Sequence, residues 1–519
     1  MKNNKKPLLL CILDGYGIGK KYPGNAIELA KKPFIDYLFK TYPNILLSAS
    51  EKSVGLPPHQ PGNSEVGHLN IGSGRIVYQT ITKISEEIEN KSFYQNPALY
   101  KIYDYCKQNN DTIHIMGIIS DGGIHGHIDH FIAFIKWAVG HLFENIYLHL
   151  ITDGRDTDPK SGYLFVKKIV DYISTFKHVS IHIASISGRF YTMDRDRRWE
   201  RVLKGYEAIC GTSKNTFTDV LSYVKESYEK NITDEFIEPA INKNIHFGLT
   251  KGDGLIVSNY RKDRVIEILS AITNDEYEFN KNYHFLSKNI FLLTIKNFQS
   301  TCKINAFLYP DEQLSYNFSE VISNFGLNQL KIAETEKYAH VTFYFNGGLD
   351  IVYKNEDRIL IPSPKVRTYD LKPEMSLPEL TEKLLAQIDK NFYDVIVLNI
   401  ANSDMVGHTG NLAAAIKAIE AIDHYLEKIY QKIKEKDGIL VLTADHGNSD
   451  VMLTDDNRPV TSHSLNPVPF LITDKKLQFS KEFGKLSDIA PSCLFLLDIL
   501  IPEKMTGDNL IFFKYWYRR

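Results

Sequence analysis

The segment Pro7–Leu13 reads Pro-Leu-Leu-Leu-Cys-Ile-Leu and runs straight into Asp14-Gly15. A short, continuous apolar run of this kind is typical of a strand that is buried on both faces of a sheet. Similar runs recur along the chain, and a polar loop follows each of them. These runs are Thr112–Ile119, Asn145–Ile151, Val179–Ile186, Leu255–Val257, Asp394–Ile400 and Gly438–Thr443.

Helix-like segments such as Ser161–Thr175 and Leu412–Lys436 lie between these apolar runs. Strands that alternate with helices predict an α/β fold, in which mainly parallel sheets are covered by helices. Ligands of such sheets bind beyond the carboxyl ends of the strands. We therefore expect the functional side chains in the polar loops that follow the apolar runs.

The bulk composition excludes several classes of protein. The 519 residues allow two or more domains, and 43% hydrophobic with 24% charged residues is typical of a folded globular chain. Lys plus Arg is 61 and Asp plus Glu is 63, so the formal net charge is −2. Without an overall positive field we expect neither nucleic acid nor a membrane as a partner. An anionic small-molecule substrate would need a local cluster of cations.

The cysteines and the N-terminus indicate the compartment. The chain has 5 cysteines, none of them in a C-x-x-C pair, which favours free thiols in a reducing environment. The apolar run that ends at Leu13 is too short for a signal peptide and has no small-residue cleavage site after it. No apolar stretch approaches the ~18 residues that span a bilayer. These observations predict a cytoplasmic protein.

Side chains that can bind metals cluster in the C-terminal segments. Asp404 and His408 share one loop, Asp445 and His446 are adjacent after an apolar run, and His463 lies in a Pro-rich loop. Asp14 ends the first run in the same way. Each motif alone is typical of an ordinary turn, but their joint occurrence after predicted strands favours a metal site. Mixed carboxylate and imidazole ligands suit Mn²⁺ or Zn²⁺ better than Ca²⁺.

The segment from Pro61 to Arg75 is rich in glycine and polar residues. It could be an irregular surface loop. In a functional interpretation Ser64 begins a helix, where free backbone amides and the helix dipole favour a phosphate group. A serine also needs a base or a metal to become a nucleophile. The loop alone does not distinguish Ser64 from Ser73.

Basic side chains follow several apolar runs in the middle of the chain. Any one of them could be a surface residue paired with a nearby aspartate. Together they fit better with one pocket for a small polyanion, because guanidinium groups bind carboxylate and phosphate oxygens in pairs. The set comprises His125, Arg155, Arg189, Arg195, Arg261 and Arg264.

These motifs carry a resemblance to a known family. The segment Pro61–His68 resembles the phosphoserine loop of the cofactor-independent phosphoglycerate mutases, which belong to the alkaline-phosphatase-like superfamily. Leu13–Gly17, Ser403–His408 and Ala444–Asn448 resemble the metal-binding motifs of that family. The resemblance implies two domains, each a mainly parallel sheet covered by helices. Residues 1–75 and 309–519 would form a metal-binding phosphatase-like domain, and residues 76–308 an inserted phosphotransferase domain that binds the substrate.

The resemblance also implies roles for individual residues. Ser64 matches the serine that is transiently phosphorylated, Asp156 the residue that moves a proton to and from the glycerate hydroxyls, and Lys337 a lysine near the phosphoserine. The basic set and Asp156 and Lys337 match the substrate-binding residues. One divalent ion would bind Asp14, Ser64, Asp445 and His446, and the other Asp404, His408 and His463. The family commonly uses Mn²⁺, and some members use Mg²⁺, Co²⁺ or Zn²⁺.

The implied activity is that of an isomerase of glycolysis and gluconeogenesis. It interconverts 3-phosphoglycerate and 2-phosphoglycerate through a phosphoserine and needs no bisphosphoglycerate, and the resemblance suggests a monomer. A two-metal phosphatase or another phosphomutase of the same superfamily is the nearest alternative. A binding protein that has lost catalysis is the alternative from a different class.

Overall fold

The computed structural model of the 519-residue chain describes residues 6–274, 288–298, 301–310 and 314–514. The chain divides into two compact units, and the first comprises Met1–Thr82 and Gln313–Arg519 whereas the second comprises Lys83–Glu312. The second unit therefore interrupts the first in sequence. The first junction falls inside the helix Thr80–Glu89, a few residues beyond the boundary at residue 76 that the resemblance suggests.

The first unit contains an eight-stranded sheet whose central strands are parallel. Leu8–Leu13 pairs in parallel with Val395–Ile400 on one side and with Ile439–Thr443 on the other. Every residue of Leu8–Leu13 is buried, as a central strand of a parallel sheet requires. In sheet order the strands are Glu356–Ile361, Gln329–Glu334, Val395–Ile400, Leu8–Leu13, Ile439–Thr443, Val468–Ile472, Asn44–Ser48 and Phe483–Lys485. A separate antiparallel pair consists of Leu477–Phe479 and Ile511–Phe513.

Helices of the first unit bury apolar stripes. Leu412–Glu435 begins at Asn411, whose side chain accepts a hydrogen bond from the amide of Ala414. Its Ile419, Ile422 and Leu426 recur at helical spacing and are buried. The other α-helices are Ala26–Leu29, Pro33–Thr41, Ser64–Ser73, Phe318–Asn324, Thr335–Ala339, Leu377–Asp389, Asn402–Gly407 and Ile489–Leu496. A π-turn spans His340–Tyr344, and 3₁₀ turns span Glu51–Val54, Tyr369–Leu371 and Leu486–Asp488.

The second unit contains its own eight-stranded, mainly parallel sheet. In sheet order the strands are Ala306–Tyr309, Phe291–Lys296, Gly254–Val257, Thr112–Ile118, Asn145–Thr152, Ile181–Gly188, Ala240–Asn242 and Thr216–Phe217. The α-helices are Pro97–Lys107, Ile128–Gly140, Gly162–Ile173, Arg189–Thr192, Trp199–Ile209, Val220–Glu229 and Ile266–Thr273. 3₁₀ turns span Ser92–Gln95, Asp234–Phe236 and Lys262–Arg264.

The predicted α/β fold with mainly parallel sheets is confirmed. Each apolar run that the sequence singles out becomes a strand, and the runs of each unit lie side by side in the middle of its sheet. All 5 cysteines are buried and unpaired. Within the described ranges, no helix combines the length and the apolar character that a membrane crossing needs.

Candidate functional site

Three buried carboxylates lie in the segments that follow three adjacent strands of the first sheet. Asp14 follows Leu8–Leu13, and Asp404 and Asp445 lie in the segments that follow the two neighbouring strands. Gly15 has a left-handed backbone with φ of 74°, and a Cβ there would lie 2.8 Å from the Cα of Asp404. The missing side chain therefore lets the first two loops approach closely.

Ser64 is the first residue of the helix Ser64–Ser73. The Asn63 side chain caps this helix by accepting a hydrogen bond of 2.9 Å from the amide of Val66. The absence of a side chain at Gly67 lets the helix pack directly on the loop that contains Asp445, since a Cβ there would lie 2.6 Å from the carbonyl oxygen of Asp445. The Ser64 hydroxyl thus lies at a helix start beside the carboxylate cluster.

The structure distinguishes the two candidate serines, Ser64 and Ser73, by their neighbours. The Ser64 hydroxyl donates to Asp14 Oδ1 at 3.1 Å and lies 3.1 Å from His446 Nε2. Ser73 ends the same helix, roughly 13 Å further along its axis. Only Ser64 therefore lies among the candidate metal ligands.

Asp14, Asp445 and His446 form one candidate metal site, with ligand atoms within 4.8 Å of one another. Asp445 Oδ1 accepts a hydrogen bond of 3.2 Å from the amide of Gly15. Asp445 Oδ2 is buried and accepts no hydrogen bond of good geometry, although His68 Nδ1 lies 3.2 Å and His446 Nε2 3.6 Å from it. A buried carboxylate oxygen without a donor is costly, and a bound cation would satisfy it.

Asp404, His408 and His463 form a second group of ligand atoms. Asp404 Oδ1 lies 3.2 Å from His408 Nε2 and 3.3 Å from His463 Nε2. The Nδ1 atoms of the two rings lie 2.8 Å from the carbonyl oxygens of Thr461 and Gly62, respectively. Because a carbonyl can only accept, each Nδ1 carries a proton, and each Nε2 is directed at Asp404 Oδ1. Metal-binding histidines are held in this way. His446 also lies within 4.8 Å of Asp404 and His463, so it adjoins both groups.

Lys337 joins the two groups. Its ammonium donates to Asp14 Oδ1 at 2.7 Å, to Ser64 Oγ at 2.7 Å and to Asp404 Oδ2 at 2.6 Å. Burial lowers the pKa of Lys337, but the carboxylates of Asp14 and Asp404 outweigh burial and raise it above its ordinary value. Burial raises the pKa of both aspartates, and the adjacent ammonium holds both well below the usual range.

The charges of this cluster do not balance. One ammonium faces the carboxylates of Asp14, Asp404 and Asp445, and all four groups are buried. Burial lowers the pKa of His446, whereas Asp445 and the other two carboxylates raise it to about 9. The excess negative charge is what divalent cations would neutralise. The mixed carboxylate and imidazole donors suit a transition metal rather than Ca²⁺.

Three polar residues that the sequence interpretation missed also contact the cluster. The Asn448 amide donates to Asp404 Oδ1 at 2.7 Å, and the Asn399 amide donates to Asp14 Oδ2 at 2.7 Å. His68 Nδ1 lies 2.8 Å from the Ser64 carbonyl oxygen. The position of His68 one helical turn after Ser64 could have indicated its role. Asn399 carries no such signal, since it lies inside an apolar strand.

Arg189 is the buried centre of the basic cluster in the second unit. It follows the strand Ile181–Gly188 and is only 2% exposed. Its Nη1 donates to Asp153 Oδ1 at 2.7 Å and to Asp156 Oδ2 at 2.6 Å. The guanidinium therefore holds the Asp156 carboxylate in place.

His125 lies beside Asp156, with 3.9 Å between His125 Nε2 and Asp156 Oδ2. Burial, with the positive charges of Arg189 and Arg261, lowers the pKa of His125 to about 4. The imidazole is therefore neutral near pH 7. Arg261 and Arg195 both face Asp263, at 3.6 and 3.0 Å, and each is about half exposed. These two guanidinium groups remain accessible to an anion.

Arg155, Arg189 and Arg264 line a cavity of about 130 Å³. Burial, followed by the positive charges of Arg195, Arg155 and Arg189, lowers the pKa of Arg264. Glu235 pairs with Arg155 at the cavity wall. The predicted basic residues therefore gather in one region of the second unit. The cavity is also lined by Phe190, Met193, Asp194, Asp196, Arg201, Glu235 and Phe236.

Arg201 lines this cavity but is absent from the predicted set. Its guanidinium lies 3.8 Å from the centre of the Phe190 ring and 3.4 Å from Asp194 Oδ2. The residue lies in the helix Trp199–Ile209 and not in a loop after a strand. The polar loops after the apolar runs therefore carry no signal for it.

Comparisons with known proteins show the family of this chain. A family model described as the metalloenzyme superfamily matches residues 6–499. A 2,3-bisphosphoglycerate-independent phosphoglycerate mutase of Antithamnion sp. is 46% identical over 98% of this chain and 100% of its own length. The corresponding protein of Mycoplasma genitalium is 44% identical over 98% of this chain and 99% of its own length. A Leishmania mexicana phosphoglycerate mutase, solved at low cobalt concentration, has 27% identity and a TM-score of 0.58 over 98% of both chains. This chain belongs to the 2,3-bisphosphoglycerate-independent phosphoglycerate mutases, within the metalloenzyme superfamily.

Proposed function

We propose that this protein interconverts 3-phosphoglycerate and 2-phosphoglycerate by two phosphoryl transfers that share Ser64, without bisphosphoglycerate. The observation that carries the proposal is the environment of the Ser64 hydroxyl, which contacts Asp14, His446 and Lys337 inside a buried charged cluster. The family membership and the arginine cluster of the second unit support the same substrate class.

We assign two divalent ions to the first unit, most simply Mn²⁺, with Mg²⁺, Co²⁺ or Zn²⁺ as alternatives. Asp14, Ser64, Asp445 and His446 would hold one ion, and Asp404, His408 and His463 the other. The grouping of these side chains and the excess negative charge support the assignment. Bound divalent ions supply Lewis-acid neutralisation of charge on the serine oxygen and on the transferring group.

Ser64 Oγ is the nucleophile of the first transfer. Lys337 already donates to this oxygen at 2.7 Å, so its ammonium is in place to stabilise negative charge as the phosphorus–oxygen bond forms. The position of Ser64 at a helix start adds free backbone amides, which favour a phosphate group. The substrate's own phosphorus–oxygen bond breaks in this transfer, and the glycerate oxygen that leaves takes up the equivalent of the proton that Ser64 loses. The phosphoserine then returns the phosphoryl group to the other hydroxyl of the glycerate, and Ser64 regains its hydroxyl as the serine phosphate ester breaks.

The second unit holds the glycerate and moves its protons. Arg155, Arg195, Arg261 and Arg264 offer guanidinium groups for the carboxylate and the phosphate, with neutral His125 beside them. Asp156 serves as the general base that takes the proton from the accepting hydroxyl. Its contact with Arg189 at 2.6 Å orients it for that task.

An assay of the purified protein tests the proposal. With 3-phosphoglycerate and Mn²⁺, and without bisphosphoglycerate, we expect 2-phosphoglycerate to form, and EDTA to abolish its formation. Ser64→Ala should lower kcat by roughly 10⁴-fold or more, because the nucleophile is lost. Mn²⁺ binding should stay measurable, because Asp14, Asp445 and His446 remain as ligands of that ion. Release of inorganic phosphate without 2-phosphoglycerate would establish the phosphatase alternative, and full activity of Ser64→Ala would remove Ser64 from the mechanism.

A further inference from the structure

His68 and Asn399 lie behind the candidate metal ligands of the first unit and are completely buried. His68 lies one helical turn after Ser64, and Asn399 lies in the strand Val395–Ile400 next to Leu8–Leu13. The two side chains contact each other, since His68 Nε2 lies 3.0 Å from Asn399 Nδ2. A helix and a strand are thereby joined at the nucleophile.

The hydrogen-bond pattern of this pair has only one consistent assignment. The neighbours of His68 Nδ1 are the Ser64 carbonyl oxygen at 2.8 Å and Asp445 Oδ2 at 3.2 Å. Both are acceptors, so Nδ1 carries the proton. Asn399 must point its NH₂ group at Asp14 Oδ2, because its carbonyl oxygen would repel that carboxylate. The second amide hydrogen then donates to the lone pair of His68 Nε2.

The pair therefore connects three members of one candidate metal site. From the Ser64 backbone and Asp445, the chain of contacts runs through the His68 ring and the Asn399 amide to Asp14. The Asn399 amide fixes Asp14 Oδ2, and the other carboxylate oxygen, Asp14 Oδ1, faces the Ser64 hydroxyl. His68 acts in the same way on the nucleophile, because it holds the carbonyl of Ser64 at the helix start.

We propose that His68 and Asn399 are positioning residues for the metal site formed by Asp14, Ser64, Asp445 and His446. The inference rests on the proposed two-metal function. The Ser64 hydroxyl contacts Asp14, His446 and Lys337 and neither of these two side chains. They set the orientation of a metal-binding carboxylate and of the nucleophile, and partners of this kind typically contribute 10- to 100-fold to metal affinity or activity.

The opposite ligand group provides a matched control. Asn448 donates to Asp404 Oδ1 at 2.7 Å, so it supports the site of Asp404, His408 and His463 with the same chemical group. Asn399→Leu keeps the number and branching of the side-chain heavy atoms and removes the donor at the first site. Asn448→Leu removes the equivalent donor at the second site. The two variants should weaken different ions.

The test is a calorimetric titration of the metal-free full chain with Mn²⁺, followed by assays with 3-phosphoglycerate. We expect two binding events in the unaltered protein. Asn399→Leu should weaken one of them roughly 10- to 100-fold, and Asn448→Leu should weaken the other. At saturating Mn²⁺, Asn399→Leu should lower kcat and leave KM unchanged, because the arginine cluster is intact.

Further variants separate positioning from general damage to the fold. Asn399→Asp places a carboxylate against Asp14 and should weaken the same ion at least as much as Asn399→Leu. His68→Asn keeps a donor near the Ser64 carbonyl and should retain more affinity than His68→Ala. If Asn399→Leu and His68→Ala fold and bind both ions with unaltered affinity, the positioning role is refuted. A lack of Mn²⁺ binding by the unaltered protein would refute the two-metal function, and the positioning role with it.

Discussion

The buried cluster of the first unit and the arginine cluster of the second unit hold charges of opposite sign in different ways. In the first unit Asp14, Asp404 and Asp445 are completely or nearly completely buried, and Lys337 is the cation among them. In the second unit, Arg195 and Arg261 are about half exposed and pair with the carboxylate of Asp263. The first arrangement is fixed by the fold, whereas the second leaves donors for an incoming anion.

The difference reflects two chemical tasks. Charges that must stabilise a developing transition state gain strength when water is excluded. Guanidinium groups that capture a free anion have to be reached from solvent, and their interaction is weaker because water screens it. Variants of the first cluster should therefore affect kcat, and variants of exposed arginines in the second should affect KM.

Among the variants that test this difference between the two clusters, we expect the largest effect on kcat from a substitution of Lys337. Lys337→Met keeps an unbranched apolar side chain, one atom shorter, and removes three donated hydrogen bonds, including the one to Ser64. We expect kcat for 3-phosphoglycerate to fall roughly 10²- to 10³-fold, as with the loss of other preorganised donors.

Lys331→Met is the control, because Lys331 is also completely buried in the first unit but pairs with Glu356. Breaking that pair should lower the free energy of unfolding in urea by about 3 kcal/mol and leave kcat of the folded protein intact. An unaltered kcat in Lys337→Met would contradict the role of the ammonium.

A smaller effect is expected at the exposed rim of the arginine cluster. Arg195→Gln removes one accessible guanidinium without opening the buried centre around Arg189. The KM for 3-phosphoglycerate should rise about tenfold, which corresponds to about 1.4 kcal/mol, while kcat changes little. Arg458→Gln alters a surface arginine of the first unit that pairs with Asp456, and it should leave both constants unchanged. Equal KM values in the two variants would show that Arg195 does not bind the substrate.

The smallest effect concerns pH and a histidine outside both clusters. Burial lowers the pKa of His130 to about 3, and its Nε2 lies 2.9 Å from Ser85 Oγ. Between pH 6.5 and 3 the unfolded chain therefore binds a proton that the folded chain does not. The free energy of unfolding should fall as the pH falls through this window, by at most about 1.4 kcal/mol per pH unit for this group.

Urea unfolding at pH 7, 5.5 and 4.5 measures how the free energy of unfolding depends on pH. His130→Gln should make this dependence shallower, by an amount that corresponds to at most one bound proton. A slope that is identical in the variant would show that His130 does not stay neutral in the folded protein.

The central strands that position both clusters could be predicted from the sequence. Runs such as Leu8–Leu13 predict central strands because a strand buried on both faces has no room for polar side chains. The strand Gln329–Glu334 was not predicted in this way, because Lys331 and Glu334 interrupt its apolar pattern. Both residues are nevertheless buried in the structure. Their burial is offset by partners distant in sequence, which no local pattern reports.

The sequence by itself determined the central strands of both sheets, the ligand types in the loops that follow them and the basic character of the middle of the chain. Short-range patterns suffice for these features, because burial and turn chemistry act on neighbouring residues. The loop composition left Ser64 and Ser73 open and the family resemblance chose Ser64, but only the tertiary structure placed the Ser64 hydroxyl among the candidate metal ligands. Only the tertiary structure also brought Arg201 to the cavity and placed Asn399 beside Asp14. Those choices depend on distances between residues far apart in the chain, and such distances exist only once the sheets have formed.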